Sequence, residues 1–214
     1  MRAWLLASAT VACGLGVAAA GQLTPASFTS PKASAPASDQ TGTLAEDTNS
    51  RVFLTAEDGR RAAEAGLLPV DARSILKVPG TLRHGEFVWD DEGVPPGPIR
   101  VHVDLRRQLV SVFRGSHEIG SAVTLYGTDK HETPLGRFPI VTKLEDHWSA
   151  TYDAPMPYTL RLTDDGIAVH GSDVRKARAT HGCVGVPLEF ARLLFEQASL
   201  GDVVEIVFSE EHQA

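Results

Sequence analysis

The sequence predicts a mostly β domain with one or two short helices. Three features indicate this class. Apolar and polar residues alternate in successive short runs from residue 99 onward, turn residues separate these runs, and only one segment near the carboxyl end has a clear helical pattern. Apolar residues make up 43% of the 214 positions, which is enough to form an ordinary core. We therefore place one folded domain at residues 99–208.

The clearest strand pattern begins at Ile99. The run IRVHVDL places its apolar residues on one face, and the runs LVSVF and HEIGSAVTL follow after the polar turns RRQ and RGS. Strands joined by such short turns form an antiparallel meander. The segment ETPLGRFPI comes next, and its Pro134 and Gly136 indicate a turn.

The carboxyl-terminal part predicts one helix and a last strand. Apolar residues are spaced in helical fashion over residues 187–198, Pro187 suits the first helical turn, and Gly201 lies just past the end. Residues 202–208, DVVEIVF, follow as a strand.

Residues 51–98 predict a small amino-terminal region that packs on the domain. A short helix begins after Thr55, which can cap it, and Gly66 can close it. Residues 73–89 contain two short apolar runs, which we interpret as the strands of a hairpin. Residues 90–98, DDEGVPPGP, form a turn-rich linker.

The first fifty residues predict export. Residues 1–20 have a positive Arg2, a long uncharged run and three final alanines, which is typical of a signal peptide. A retained anchor and a lipoprotein at Cys13 are the alternatives. Residues 21–50 are rich in Ala, Ser, Thr and Pro and are expected to be a disordered tether. The expected location is the periplasm or cell envelope.

The charge balance argues against a nucleic-acid partner. The chain has 20 Lys and Arg against 27 Asp and Glu, a net charge of −7. No basic cluster stands out, and proteins that bind the phosphate backbone need one.

The segment VHGSDVRKARATHGCVG carries the strongest chemical pattern, because it combines Cys183 with His170 and His181. A free thiol is mostly protonated at neutral pH, so a nucleophilic cysteine needs a base nearby. The apolar run GIAVH predicts a strand that ends at His170, and the polar loop after it lets the chain return to Cys183. Gly182 would let a substrate approach the backbone, and the amides of residues 182 and 183 could stabilise an oxyanion.

Two other interpretations of this cluster stay open. Two histidines and one cysteine can bind zinc, although a closed structural site needs four ligands and no fourth Cys or His lies nearby. Ordinary core histidines beside a buried cysteine form the other alternative.

Four ordered segments resemble the L,D-transpeptidases, the family with a YkuD-type catalytic domain. THGCVG with the upstream VHG resembles the family signature of a histidine followed by Ser/Thr-His-Gly-Cys. IRVHVDLRRQLVSVFRGSHEIGSAVTLYG resembles its opening strands, TPLGRFPI its Thr-Pro-x-Gly-x-Phe-x-Ile segment, and DAPMPYTLRLTDDGIAVHGS the approach to its catalytic histidine. The resemblance implies a YkuD-like β-sandwich over residues 99–208.

The resemblance also implies the catalytic roles. Cys183 is the nucleophile, and His170 is its general base or the partner of a thiolate–imidazolium pair. His181 and Gly182 shape the oxyanion site with Cys183. Thr180 keeps the hydroxyl that a serine supplies in most relatives.

Three further expectations concern the surroundings. Gly171 offers its carbonyl to orient His170, and Tyr158 lines the pocket, with core packing as its alternative. Many relatives have arginine two positions after the cysteine, where this chain has Gly185. The candidates for binding substrate charge in its place are Arg175, Lys176 and Arg178.

The implied activity is cysteine acyl transfer on peptidoglycan stem peptides. The third residue of a stem is transferred to an amine acceptor, which forms cross-links in cell-wall biogenesis. The alternatives are an L,D-carboxypeptidase acting on the same peptides and a non-catalytic peptidoglycan-binding module. No metal or organic cofactor is expected, and the protein is expected to act as a monomer.

Overall fold

The computed structural model describes residues 50–78, 80–127 and 131–210. The predicted signal peptide and nearly all of the predicted tether lie outside these residues. The described elements, in chain order, are β1 (Arg51–Phe53), α1 (Ala56–Glu64), β2 (Ser74–Leu76), β3 (Phe87–Trp89), β4 (Ile99–Asp104), β5 (Leu109–Arg114), β6 (His117–Val123), β7 (Gly136–Pro139), β8 (Thr142–Leu144), β9 (Trp148–Ser149), β10 (Ala154–Pro155), β11 (Thr159–Arg161), β12 (Ala168–Ser172), β13 (Val184–Pro187), α2 (Leu188–Gln197) and β14 (Val203–Val207).

The larger sheet contains the predicted meander. Its strand order is β1-β2-β6-β5-β4-β14-β7, and β3 also pairs with β6. Strands β4, β5 and β6 are antiparallel neighbours, as the alternating pattern predicted. The last strand, β14, lies parallel to β4, with Val204 opposite Val101. Such a parallel pair needs a long crossover, and the second sheet and α2 supply it.

The smaller sheet contains the segment that carries His170 and Cys183. Its order is β13-β12-β11-β8, in which only β12 and β13 are parallel. Strands β9 and β10 form a separate short hairpin. Helix α2 begins directly after β13 and packs its buried Phe190 and Leu194 on the sheets.

One hydrophobic core joins the two sheets. Fully buried side chains enter it from β4, β5 and β14 on one side and from β12, β13 and α2 on the other, among them Val101, Val112, Ile206, Val169, Val186 and Leu194. Two β layers around a shared core form a sandwich. This mostly β architecture with two short helices confirms the predicted fold class.

The amino-terminal region contributes three strands to the larger sheet. Helix α1 begins after Thr55, whose hydroxyl accepts the Asp58 N–H at 3.1 Å, and the chain leaves it through Gly66 at φ +70°. The predicted hairpin in residues 73–89 is wrong, because β2 and β3 do not pair with each other. Both pair with β6, β2 in parallel and β3 antiparallel. One edge of β6 forms backbone hydrogen bonds first with β2 and then with β3.

The described residues contain no helix that combines the length and the hydropathy needed to cross a membrane.

Candidate active site

Two parallel strands bring His170 and Cys183 to one cleft. His170 lies within β12, and Cys183 immediately precedes β13. Val169 pairs with Val184, so the register places Cys183 beside Ala168. Residues 168 and 170 share a face of their strand, so Cys183 lies on the same side of the sheet as His170. The side chains of His170 and Cys183 line a cleft of about 160 Å³.

The hairpin β9–β10 and the segment around it form the opposite wall of this cleft. The lining residues from this wall are Ser149, Tyr152, Ala154, Pro155 and Met156. The wall therefore mixes one aromatic ring with small and apolar groups, and it faces a thiol, an imidazole and the hydroxyls of Ser172 and Thr180.

A backbone contact fixes the tautomer of His170. Its Nδ1 atom lies 2.9 Å from the carbonyl oxygen of Gly171, the contact that the resemblance implied. A carbonyl oxygen can only accept, so Nδ1 carries the proton and the neutral ring keeps its lone pair on Nε2. Burial lowers the pKa of His170, and the nearby His147 lowers it further, while the Gly171 bond opposes the shift. The lowered pKa favours the neutral form of the ring.

The environment of Cys183 favours the thiol over the thiolate. Burial raises its pKa and the carboxylate of Asp165 adds to the increase, while a backbone hydrogen bond from Ala168 opposes it. The half-buried thiol donates to the Gly166 carbonyl oxygen at 3.6 Å. Both pKa shifts therefore favour a neutral thiol and a neutral imidazole over a thiolate–imidazolium ion pair.

The loop before Cys183 and the segment that packs on it each need a glycine. Gly182 has φ +103°, and a Cβ there would lie 2.9 Å from Cδ1 of Ile167. A Cβ on Gly127 would lie 1.9 Å from the carbonyl oxygen of His131 and 2.4 Å from the Gly182 nitrogen. The backbone before Cys183 is therefore packed directly against another backbone segment.

Two threonine hydroxyls hold the peptide groups on either side of Cys183. Thr180 donates to the Cys183 carbonyl oxygen. Thr133 donates to the Gly182 carbonyl oxygen at 2.9 Å and accepts the Gly127 N–H at 2.9 Å. These bonds tie the Cys183 loop to the segment that follows β6.

His181 lies at the exposed rim of the cleft. Its ring stacks on Tyr152, with centroids 4.4 Å apart and planes at 17°, and meets His131 edge-on at 5.3 Å. Its ring contacts are therefore with other aromatic side chains. This arrangement suits the orienting role expected of His181 better than proton transfer.

The structure corrects the prediction for Tyr158. Its ring contacts Phe195 of α2 at a centroid distance of 5.8 Å and lines a separate pocket with Lys143 and Arg192. The backbone of Tyr158 has φ +55°, and this left-handed turn directs the side chain toward the helix. The core-packing alternative is therefore correct, and Tyr152 is the tyrosine of the cleft.

A larger groove of about 630 Å³ lies next to the cleft and shares Ala154, Pro155 and Ser172 with it. Gly171, Pro157, Leu188 and Arg178 also line it. Of the three basic candidates, only Arg178 lines this groove.

Two of the three loop cations, Arg175 and Arg178, share one carboxylate. The Arg178 guanidinium lies 3.8 Å from Asp173, and Arg175 binds the same side chain at 2.8 Å. Gly185 lies opposite His170 across the β12–β13 pair, and a Cβ there would come within 3.0 Å of Ser172 Cβ. A side chain at position 185 therefore requires Ser172 to move.

No group of three or more His, Cys, Asp or Glu side chains in residues 50–78, 80–127 and 131–210 is arranged to hold a metal ion. The zinc interpretation of His170, His181 and Cys183 therefore gains no support from the geometry.

Sequence reasoning did not identify several residues of the site. Thr133 lies in the quoted segment TPLGRFPI, and Gly127 ends the quoted opening strands, but neither pattern reveals a contact with Gly182. Tyr152 is an aromatic residue within a polar segment, and such a residue can be found from sequence as an exposed binding candidate.

Three solved structures of L,D-transpeptidases are similar to this chain. An L,D-transpeptidase from Stackebrandtia nassauensis is 24% identical, with a TM-score of 0.49, and the match covers 54% of this chain and 58% of that one. An L,D-transpeptidase from Mycobacterium tuberculosis H37Rv is 19% identical, with a TM-score of 0.48, and the match covers 51% of this chain and 57% of that one. An L,D-transpeptidase from Mycobacterium smegmatis is 17% identical, with a TM-score of 0.48, and the match covers 76% of this chain and 80% of that one.

This chain spans less than two thirds of the length of the first two of these structures. No curated protein sequence matches it. The sequence model of the L,D-transpeptidase catalytic domain, YkuD, matches residues 98–206. This match covers half of the chain and coincides with the sandwich that carries Cys183 and His170, and it shows that the chain belongs to the L,D-transpeptidase catalytic domain family.

Proposed function

We propose that this protein is a peptidoglycan L,D-transpeptidase that transfers the acyl group of the third stem-peptide residue through Cys183. One observation carries the proposal. Cys183 and His170 line one cleft, and the Gly171 carbonyl holds the imidazole in the tautomer whose Nε2 is free to accept a proton. A nucleophile, an oriented base and room for a carbonyl are the parts that acyl transfer needs.

The first half of the reaction forms a thioester. His170 Nε2 removes the thiol proton while the sulfur attacks the carbonyl carbon of the third residue. The amides of Gly182 and Cys183 stabilise the tetrahedral oxyanion. The intermediate then collapses, the bond to the terminal D-amino acid breaks, and the imidazolium returns its proton to the departing amine.

The second half transfers the acyl group to an acceptor amine. The amine attacks the thioester, His170 takes the excess proton, and the sulfur leaves as a thiolate that is reprotonated. The groove beside the cleft offers space for a second peptide, which favours an amine acceptor over water. Arg178 at its wall is the candidate for binding a substrate carboxylate.

Product analysis tests this proposal and separates its alternatives. The full chain is incubated with a disaccharide tetrapeptide, with and without a second stem as acceptor, beside the Cys183→Ala variant. A cross-linked dimer that requires Cys183 is the expected product. A trimmed monomer alone would indicate an L,D-carboxypeptidase. Binding to sacculi that is equal for both proteins, without turnover, would indicate a non-catalytic module.

Covalent labelling gives a second test that does not depend on the acceptor. The family resemblance implies acylation by carbapenems, so mass spectrometry should find one adduct on Cys183 in the wild-type chain. The Cys183→Ala variant is the control and should remain unlabelled. A reduced but unmodified Cys183 would contradict the proposal.

We also propose that the protein is exported, since its substrate lies outside the cytoplasmic membrane and residues 1–20 have the pattern of a signal peptide. Fractionation of cells followed by amino-terminal sequencing of the protein tests this. A protein found only in the cytoplasmic fraction with residues 1–20 intact would contradict export.

A further inference from the structure

We propose that Thr133 is a positioning residue for the oxyanion site. Its hydroxyl holds the Gly182 carbonyl group and thereby aims the Cys183 N–H at the developing negative charge. The inference rests on the proposed acyl transfer and adds to it a residue that lies fifty positions away from the nucleophile in the sequence.

The first step concerns the direction of the hydroxyl. Thr133 is buried, and its oxygen lies 2.9 Å from both the Gly127 nitrogen and the Gly182 carbonyl oxygen. An N–H can only donate, so the hydroxyl oxygen accepts from Gly127. Its single hydrogen is then directed to the carbonyl oxygen of Gly182.

The second step follows from the planar peptide group. The described residues contain no cis peptide bond, so the Gly182 C=O and the Cys183 N–H point in opposite directions. Thr133 holds the oxygen on the side of Gly127, which directs the N–H away from that side. Within the described ranges, no backbone or side-chain acceptor binds the Cys183 N–H. As far as the described residues go, this donor has no partner and can bind a substrate oxyanion.

The third step explains why an anchor is needed. The orientation of the Gly182–Cys183 peptide group is set by ψ of Gly182 and φ of Cys183, and glycine, which has no Cβ, restricts the first of these two torsions only weakly. A flipped Gly182–Cys183 peptide would direct a carbonyl oxygen, instead of the N–H, to the position of the oxyanion. The Thr133 hydroxyl stabilises one of the two orientations, since flipping would break its bond to Gly182.

The expected effect is on the acylation rate. Removing one donor from an oxyanion site lowers the rate about 10²- to 10³-fold in well-studied enzymes. Loss of the Thr133 hydroxyl leaves the donor in place and only releases its orientation. We therefore expect acylation to slow by roughly 10- to 100-fold, with the larger part of the change in kcat and not in KM.

A pair of reactions at the same sulfur tests the inference. Carbapenem acylation passes through an oxyanion, whereas alkylation by iodoacetamide displaces iodide at a saturated carbon and forms none. Thr133→Val keeps the shape of the side chain and removes the hydroxyl, and Thr133→Ser keeps the hydroxyl. In Thr133→Val we expect slow acylation with alkylation within about twofold of wild type, and in Thr133→Ser recovery of acylation.

Three results would overturn the inference: acylation of Thr133→Val at the wild-type rate, an equal loss of acylation and alkylation, or no recovery in Thr133→Ser. Thermal unfolding checks that each variant is folded, and Thr133→Ala replaces Thr133→Val if the valine variant does not fold. A wild-type chain that is alkylated but never acylated would instead refute the proposed function, and the inference with it.

Discussion

The Nδ1 atom of His170 lies 2.9 Å from the carbonyl oxygen of Gly171, its own neighbour in the chain. The group that orients the imidazole is thus a neutral carbonyl dipole and not a carboxylate. A carboxylate partner would raise the pKa of the imidazole, whereas here burial is the largest influence and lowers it. The Gly171 carbonyl therefore holds the imidazole in position while burial favours its neutral form, in which Nε2 carries no proton.

The neutral pair predicts two different pH profiles. Because the pKa of Cys183 is raised, alkylation by iodoacetamide should be slow at pH 7 and increase with pH above the ordinary range of a thiol, about 8.5. Because the pKa of His170 lies below 6.5, acylation should stay constant from pH 8 down to about pH 6.5 and decline only below it. Rates measured from pH 5 to 10 check both. Alkylation that is already maximal at pH 6 would show a preformed ion pair.

His170→Asn should separate orientation from base catalysis. The asparagine amide can keep the hydrogen bond to the Gly171 carbonyl, but it has no basic nitrogen. We expect acylation at pH 7 to decrease by about 10²- to 10⁴-fold. Stopped-flow acylation measures this, and alkylation at pH 10, where the thiol ionises without a base, is the control. Comparable acylation by the variant and the wild type would exclude His170 as the base.

Gly182→Ala and Gly201→Ala form a matched pair of substitutions at positive φ. Both should lower the free energy of unfolding by about 1 kcal/mol or more, because alanine resists this backbone conformation. A Cβ at position 201 meets nothing within 4 Å, whereas one at 182 comes within 2.9 Å of Ile167. Only Gly182→Ala should therefore disturb the loop that carries Cys183, and it should slow acylation whereas Gly201→Ala should not. Urea unfolding and carbapenem labelling measure the two effects, and labelling of Gly182→Ala at the wild-type rate would contradict the prediction.

Replacing Tyr152 should affect the acylation rate, whereas replacing Tyr158 should affect stability. Tyr152 lines the cleft and stacks on His181, so Tyr152→Ala should slow acylation several-fold with little change in stability. Tyr158 packs on Phe195, so Tyr158→Ala should lower the unfolding temperature and leave the acylation rate near that of wild type. The reverse pattern would show that the cleft has been assigned to the wrong tyrosine.

Phe190 connects the amino-terminal region to the catalytic sandwich. Its fully buried ring meets Phe87 at 5.8 Å and Trp89 at 5.4 Å in edge-on contacts. Phe190→Ala should lower the free energy of unfolding by about 3–5 kcal/mol through the cavity that it leaves. Leu200→Ala, at a side chain that is 65% exposed, is the control and should change it by less than about 0.5 kcal/mol. Equal effects in urea titrations would contradict this packing.

Local sequence patterns predicted where helices and strands form better than they predicted which strands pair with each other. The meander from Ile99 and the helix after Pro187 follow from periodicity and end signals that lie within a few residues. The two apolar runs in residues 73–89 do form strands, but their pairing with β6 depends on which edge is free in the folded sheet. Pairing is a non-local property, and neither run contains information about β6.

The sequence by itself determined the family motif, the strand that carries His170 and the glycine before Cys183, because each is encoded within a short stretch of chain. Only the tertiary structure decided the burial that lowers the pKa of His170 and raises that of Cys183, the position of Tyr152 instead of Tyr158 in the cleft, and the contact of Thr133 with Gly182. Burial, side-chain direction and contacts across fifty residues arise when the two sheets pack around one core, and no local pattern specifies them.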